Sequence, residues 1–187
     1  MLPPADVPVI TIQIQERNLF STMENQAQTE KKLNIRPAGE EDLPSLVHLL
    51  YQVHRVHSET RPDLFRAGAR KYTDEQILSI LEDDRTPVFV AVRGEQVVGY
   101  AFCIHKQFLN DPSMTDIKTL YIDDLCVEET LRGEHIGRQL YEFVIEYARE
   151  HGYYNVTLNV WADNRNAVGF YEKIGLKIQK IGMEKIL

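Results

Sequence analysis

Asp123-Asp124-Leu125-Cys126-Val127, followed by Glu128-Glu129-Thr130-Leu131 and then Arg132-Gly133-Glu134-His135-Ile136-Gly137-Arg138, is the stretch on which the fold turns. Its first block closes a strand expected over Thr119–Val127. Its last block opens the clearest helix of the chain, expected over Arg132–His151. Ile136, Leu140, Phe143, Val144, Tyr147 and Ala148 recur at the spacing of one buried helical face. Gly152 then supplies a C-terminal stop. Such a junction is an anion site, because the first N–H groups of a helix lack internal acceptors and carry the positive end of its dipole. Glycines allow close approach of a phosphate, and Arg132 adds a fixed positive charge. A plain strand-to-helix turn, with glycine serving geometry alone, is the simpler alternative.

Outward from this junction the chain alternates strand and helix. Leu33–Pro37 reads as a first strand, and Asp42 as the cap of a helix with Pro44 in its first turn. Arg61-Pro62-Asp63 ends that helix. Thr73 with Gln76 three residues on is a capping-box signature for a short helix through Leu81. Pro87–Val92 and Val97–Lys106 read as two strands joined by the tight turn Arg93-Gly94-Glu95-Gln96. Val156–Trp161 is a strand, Asn166–Lys173 a short helix closed by Gly175, and Leu176–Ile186 a last strand or strand pair. A mixed α/β sheet with helices on both faces follows.

The chain has 187 residues, 43% hydrophobic and 26% charged, which suits one soluble globular domain. Its 21 Lys and Arg against 28 Asp and Glu leave a net charge of −7. That sign argues against nucleic-acid binding, which needs a basic surface, and no apolar run is long enough for a membrane span. Cys103 and Cys126 lie far apart and form no zinc spacing, which favours a reduced, cytoplasmic setting. His54 and His57 have no third ligand in view, so no metal is expected. Residues 1–32 are expected to be a flexible extension, with a short strand possible at Val7–Ile14 and Met23 as an alternative start of translation. The functional domain is placed at 33–187.

The loop resembles the pyrophosphate loop of the GNAT N-acetyltransferase family, Gln/Arg-x-x-Gly-x-Gly/Ala, with Arg132, Gly133, Ile136 and Gly137 in register and His135 where glycine is usual. A positive φ there costs a histidine about 1 kcal/mol. Asn164-x-x-Ala167-x-x-Phe170-Tyr171-Glu172-Lys173-x-Gly175-Leu176 is similar to the family's Asn-x-x-Ala-x-x-Phe-Tyr-x-x-x-Gly-Phe segment. The resemblance covers about Leu33 to Leu187.

The resemblance implies the GNAT fold, a mostly antiparallel mixed sheet splayed at its middle strands. It also implies acetyl transfer from acetyl-CoA to an amine in a ternary complex. Arg132, Gly133, Glu134, His135, Ile136, Gly137 and Arg138 would hold the diphosphate. Leu125, Cys126 and Val127 would pair with the pantetheine arm and polarise the thioester, and Asn164 and Ala167 would complete the coenzyme site. Tyr171 would act as general acid toward the leaving thiolate. An amine of pKa about 10.4 must lose a proton first; Asp123 is the candidate base or water-holder. Strand alternation would send Asp123 and Asp124 to opposite faces. Cys126 as a nucleophile is weaker than Cys126 as a small buried hydrophobe.

The acceptor cleft would include His57, Glu59, Asp63 and Asp123. Its acidic groups suit a cationic amine, whereas Arg61, Arg66 and Arg70 could hold a carboxylate. The expected acceptor is a small amine, polyamine or amino acid. A protein N-terminus or lysine stands second. A non-catalytic coenzyme sensor, prompted by His135, is the alternative of another class. Dimer formation is possible by analogy alone.

Overall fold

A computed structural model of the chain describes residues 32–187. The expectations for the flexible extension, the strand at Val7–Ile14 and the start at Met23 lie outside the described residues. Strands β1 (Leu33–Pro37), β2 (Val88–Arg93), β3 (Gln96–Lys106) and β4 (Thr119–Val127) pair antiparallel in chain order. Strand β5 (Asn155–Leu158) adds in parallel to β4. Helices α1 (Leu43–Thr60) and α2 (Asp74–Glu82) cover one face of this mixed sheet. Helix α3 (Ile136–Glu150) covers the other, and α4 (Arg165–Lys173) follows β5.

Alternation along β2 and β3 explains the two-faced core. Val88, Val90, Tyr100 and Phe102 pack with Leu46, Leu49, Leu50 and Ile77 of α1 and α2. Phe89, Ala101 and Cys103 point the other way, onto Val144 and Ala148 of α3. Thr73 and Gln76 form the expected capping box at α2.

Strand β4 breaks the alternation. Its ladder with β3 runs from Cys103↔Ile122 to Phe102↔Asp124, leaving Asp123 unpaired as the extra residue of a bulge. Ile122 and Leu125, three apart, therefore pack in the same α3-side cluster, while Cys126 packs on the α1 side. The β4–β5 pairing also stops there, at Ile122↔Leu158, so among the described residues β4 from Asp123 to Val127 has a free edge on that side. This is the expected splay.

Three elements differ from expectation. Helix α3 begins at Ile136 rather than Arg132, because Gly133 (φ 90°) and His135 (φ 63°) are left-handed and cannot continue a helix. Strand β5 ends at Leu158 rather than Trp161, where its partner departs. Leu176–Ile186 forms no strand. Its apolar residues at 178, 181, 183 and 186 do not keep a period of two, and Ile178, Ile181 and Met183 are 75%, 77% and 95% exposed.

Asp42, the expected cap, precedes α1, but its carboxylate makes no capping bond. It accepts from Arg36 Nη1 and Nη2 at 2.7 and 2.8 Å and from the Gly39 N–H at 2.9 Å, and is only 4% exposed. Burial opposes its ionisation, but the guanidinium and the N–H outweigh it, so its pKa sits below the ordinary range. A lowered folded pKa contributes stability above the unfolded value of about 3.9 and loses it as pH falls through the folded value. Asp42→Asn is therefore expected to cost about 2 kcal/mol at pH 7, less than a fully buried pair because Arg36 is a third exposed. Urea unfolding at pH 7 and at pH 3 checks this: the gap between variant and parent narrows at the lower pH.

Candidate active site

The free edge of β4 leads directly into the turn that opens α3. After Val127 a single 3-10 turn, Glu129–Leu131, carries the chain to Arg132. Among the described residues, the N–H groups of Gly133, His135, Ile136, Gly137 and Arg138 have no backbone acceptor; the first helical bond of the turn is Gln139 N–H to His135 C=O at 3.1 Å. These unbonded donors lie together at the N-terminus of α3, an arrangement that suits an anion. A Cβ on Gly133 would meet nothing within 4 Å, so the space above the loop is open. At Gly137 a Cβ would stand in ordinary contact with Val127 Cγ2 at 3.4 Å and Phe170 at 3.5 Å, so the loop packs close to β4 and α4. Ile136 is buried beneath. Two side chains of the loop are otherwise engaged: Glu134 pairs with Arg93 at 2.7 Å and Arg138 with Glu142 at 3.0 Å.

His135 adopts the left-handed conformation that the usual glycine would hold freely. His135→Gly relieves a cost of about 1–2 kcal/mol and adds about 0.5–1 kcal/mol of chain entropy. It is expected to raise stability by about 0.5–1 kcal/mol, with coenzyme affinity kept or improved. Urea unfolding and titration calorimetry with CoA check both.

The bulge determines the rest of the site. Asp123 and Asp124 share one face, contrary to the alternation expected of them. Asp123 accepts from the Tyr72 hydroxyl and from Lys71 Nζ at 2.7 Å. Asp124 accepts from Tyr100 at 3.2 Å, and both tyrosines belong to the α1-side cluster. Burial pushes the Asp124 carboxyl up to about 6, against the opposing pull of Lys71 and Tyr100. Tyr171, on α4, lies near enough to Asp124 for its carboxylate to act on the phenol. Burial first, then Asp124, raise its phenol well above the ordinary range. Cys126 is buried, and its thiol is pushed up to about 12, so it is no thiolate nucleophile at neutral pH.

The loop 61–73 roofs this face. Phe65 stacks on His57 at 5.3 Å and meets Trp161 edge-on at 5.6 Å. Arg61 lies over Trp161 and is shared by Asp63 (2.8 Å) and Glu184 (2.7 Å). Burial lowers the His57 pKa, and nearby His54 and Lys71 lower it further. Asp123 and His57 thus both lie against this loop, Asp123 through Lys71 and Tyr72 and His57 through Phe65, while Asp63 is held by Arg61. Glu59 does not join them: it is 71% exposed and faces Arg55 at 4.0 Å on the same helix.

Asn164 caps α4, its Oδ1 accepting from the Ala167 N–H at 3.2 Å, which leaves its amide NH₂ free to donate.

The sequence pattern of the acetyltransferase (GNAT) family matches residues 50–176, from within α1 to just past the end of α4. The chain belongs to the GNAT acetyltransferase family. Its enzyme class, acetyl-CoA-dependent N-acetyltransferase, follows from that membership. The acetyltransferase is 28% identical over 116 residues to glucosamine 6-phosphate N-acetyltransferase of Arabidopsis thaliana, covering 62% of this chain and 68% of that enzyme. It is 29% identical over 117 residues to peptidyl-lysine N-acetyltransferase YjaB of Escherichia coli K12, covering 62% and 65%. A crystal structure of a BH1408 protein variant from Bacillus halodurans superimposes with a TM-score of 0.79 at 34% identity, covering 82% of this chain and 99% of that one.

Gln52 carries no sequence signal of its role. Buried on α1, it donates to Val127 C=O at 3.1 Å and accepts from the Glu129 N–H at 3.3 Å, fixing the passage from β4 into the loop. Its partners lie some 75 residues downstream, and no local pattern marks them. Lys71 and Tyr72 are unmarked for the same reason. Among the described residues no helix is long and apolar enough to cross a membrane, and no group of three or more His, Cys, Asp and Glu is placed to hold a metal ion.

Proposed function

We propose that this acetyltransferase moves the acetyl group of acetyl-CoA directly onto a primary amine of a small cationic molecule, such as a polyamine. The observation that carries this is the bulge: it turns two carboxylates to one face of the sheet, beside the free edge of β4. Arg61 is already engaged by Asp63 and Glu184, and Arg70 is paired through Nη2 with Asp74, its buried Nη1 alone keeping no partner. That favours a polyamine over an amino acid. A protein lysine is the second acceptor, favoured by the similarity to YjaB.

Acetyl-CoA supplies an activated acyl carbon on a thioester. The N–H groups from Gly133 to Arg138 and the Arg132 side chain would bind its diphosphate, and the edge Leu125–Val127 with Asn164 its pantetheine arm. Asp123 and Tyr72 would orient the acceptor ammonium. Asp124, rather than the Asp123 expected from the family pattern, would take its proton, because Asp123 is already bonded by two donors while Asp124 has a carboxyl poised near about 6. Tyr171 would protonate the departing thiolate. The buried, unpaired Cys103 and Cys126 support a reducing, cytoplasmic setting, and the exposed apolar side chains after Gly175 support pairing with a second copy.

The test is an acceptor panel of polyamines, amino acids, amino sugars and lysine peptides, read by release of free CoA thiol. Release is expected to be fastest with linear polyamines. Coenzyme binding without release toward any amine would replace this proposal by the sensor alternative.

A further inference from the structure

Lys71 sits on the loop between α1 and α2, and its side chain, partly open to water, folds back onto the bulge of β4. Its Nζ is 2.7 Å from Asp123 Oδ2 and 3.1 Å from the Asp123 carbonyl oxygen, and lies over the Tyr72 ring at 5.4 Å. Its charge acts on Asp124 and on His57 as well. Holding a lysine stem in one place costs rotamer entropy, so this placement reflects the pull of the carboxylates and the aromatic face. A primary alkylammonium of the chain itself therefore occupies the surroundings that the proposed acceptor amine needs.

We propose that Lys71 is an internal acceptor and that the enzyme acetylates its own Lys71 side chain. This rests on the acetyl-transfer function proposed above. Asp124 removes one proton from the ammonium. The freed Nζ lone pair forms an N–C bond to the acetyl carbonyl carbon. The carbon–sulfur bond breaks, the CoA thiolate takes the Tyr171 proton, and the nitrogen's second proton passes to solvent, from which the Tyr171 phenolate is reprotonated. The products are an acetylated Lys71 and the free thiol of CoA. The modification removes the positive charge that Asp123 now faces, leaving that carboxylate open to an incoming cation.

The full chain incubated with acetyl-CoA alone, then analysed by peptide mass spectrometry, tests this. One acetyl group per chain is expected, at Lys71, at a fractional rate unchanged on dilution of the protein. Lys71→Arg should abolish it. Tyr171→Phe and Asp124→Asn should each slow it by about a hundredfold or more. Labelling spread evenly over surface lysines, labelling of Lys71 at the same rate in both variants, or no labelling while an added amine is acetylated would overturn the inference. Absence of both self-labelling and transfer to any added amine would overturn the acetyl-transfer function along with it.

Discussion

Tyr171→Phe is expected to lower kcat by about 10²–10⁴-fold, the range of a lost general acid. The change removes one oxygen from a side chain packed beside Phe170, so the fold should survive. The phenol's role follows from its surroundings. Burial and the neighbouring Asp124 charge hold it protonated through the physiological range. As an acid it is then weaker than the free thiol, whose pKa is about 8.5, and donation would be uphill. The proposed order of steps removes part of that barrier. Once Asp124 has taken the acceptor's proton its negative charge is gone, and with it one of the influences that hold the phenol up. Deprotonation of the amine thus primes the acid that completes the reaction. Because the proton moves only in the transition state, kcat and kcat/KM should fall together while the affinity for CoA is unchanged. Steady-state kinetics with the best amine of the panel, and calorimetry with CoA, measure the two. A variant with parental kcat at all pH values would remove Tyr171 from the chemistry.

Asp124→Asn should match that loss at neutral pH, by about a hundredfold or more, and should also change the shape of the pH profile. A base must be ionised to work, so the parent's kcat/KM should rise with pH through about 6 and level off above it. The asparagine variant should lack that rising limb. Asp123→Asn is the informative companion. Its carboxylate is bonded by Tyr72 and Lys71, and its loss should raise KM for a cationic acceptor more than it lowers kcat, with the limb near 6 retained. If the limb vanished in Asp123→Asn and persisted in Asp124→Asn, the two roles would be exchanged.

Much of this site is legible in the amino-acid sequence. Thr119–Val127 and the loop from Arg132 are local in chemistry, since strand propensity, glycines and helix periodicity all act over a few residues. The capping box at Thr73 and the cap by Asn164 are local in the same sense. The bulge is hidden because Asp-Asp carries no turn signal; only the pairing with β3, some 20 residues earlier, makes Asp123 the extra residue. Gln52, Lys71 and Tyr72 are hidden by distance along the chain, since each acts on β4 from 50 residues or more away. The helix start is misleading because Arg132 and Glu134 look helical, while the backbone at Gly133 and His135 is not.

The unpaired Asp123 is also a phase shift in the chain. On either side of it strand alternation is regular, but odd and even positions exchange faces across it: Leu120 and Ile122 lie under α3 before it, and Leu125 lies there after it. Removing one residue between Ile122 and Leu125 would restore an unbroken alternation, and every side chain beyond would have to choose between its ladder partner and its proper face. The strand's composition could be kept in full and the cleft still be lost. What the chain must maintain here is the parity of a residue count.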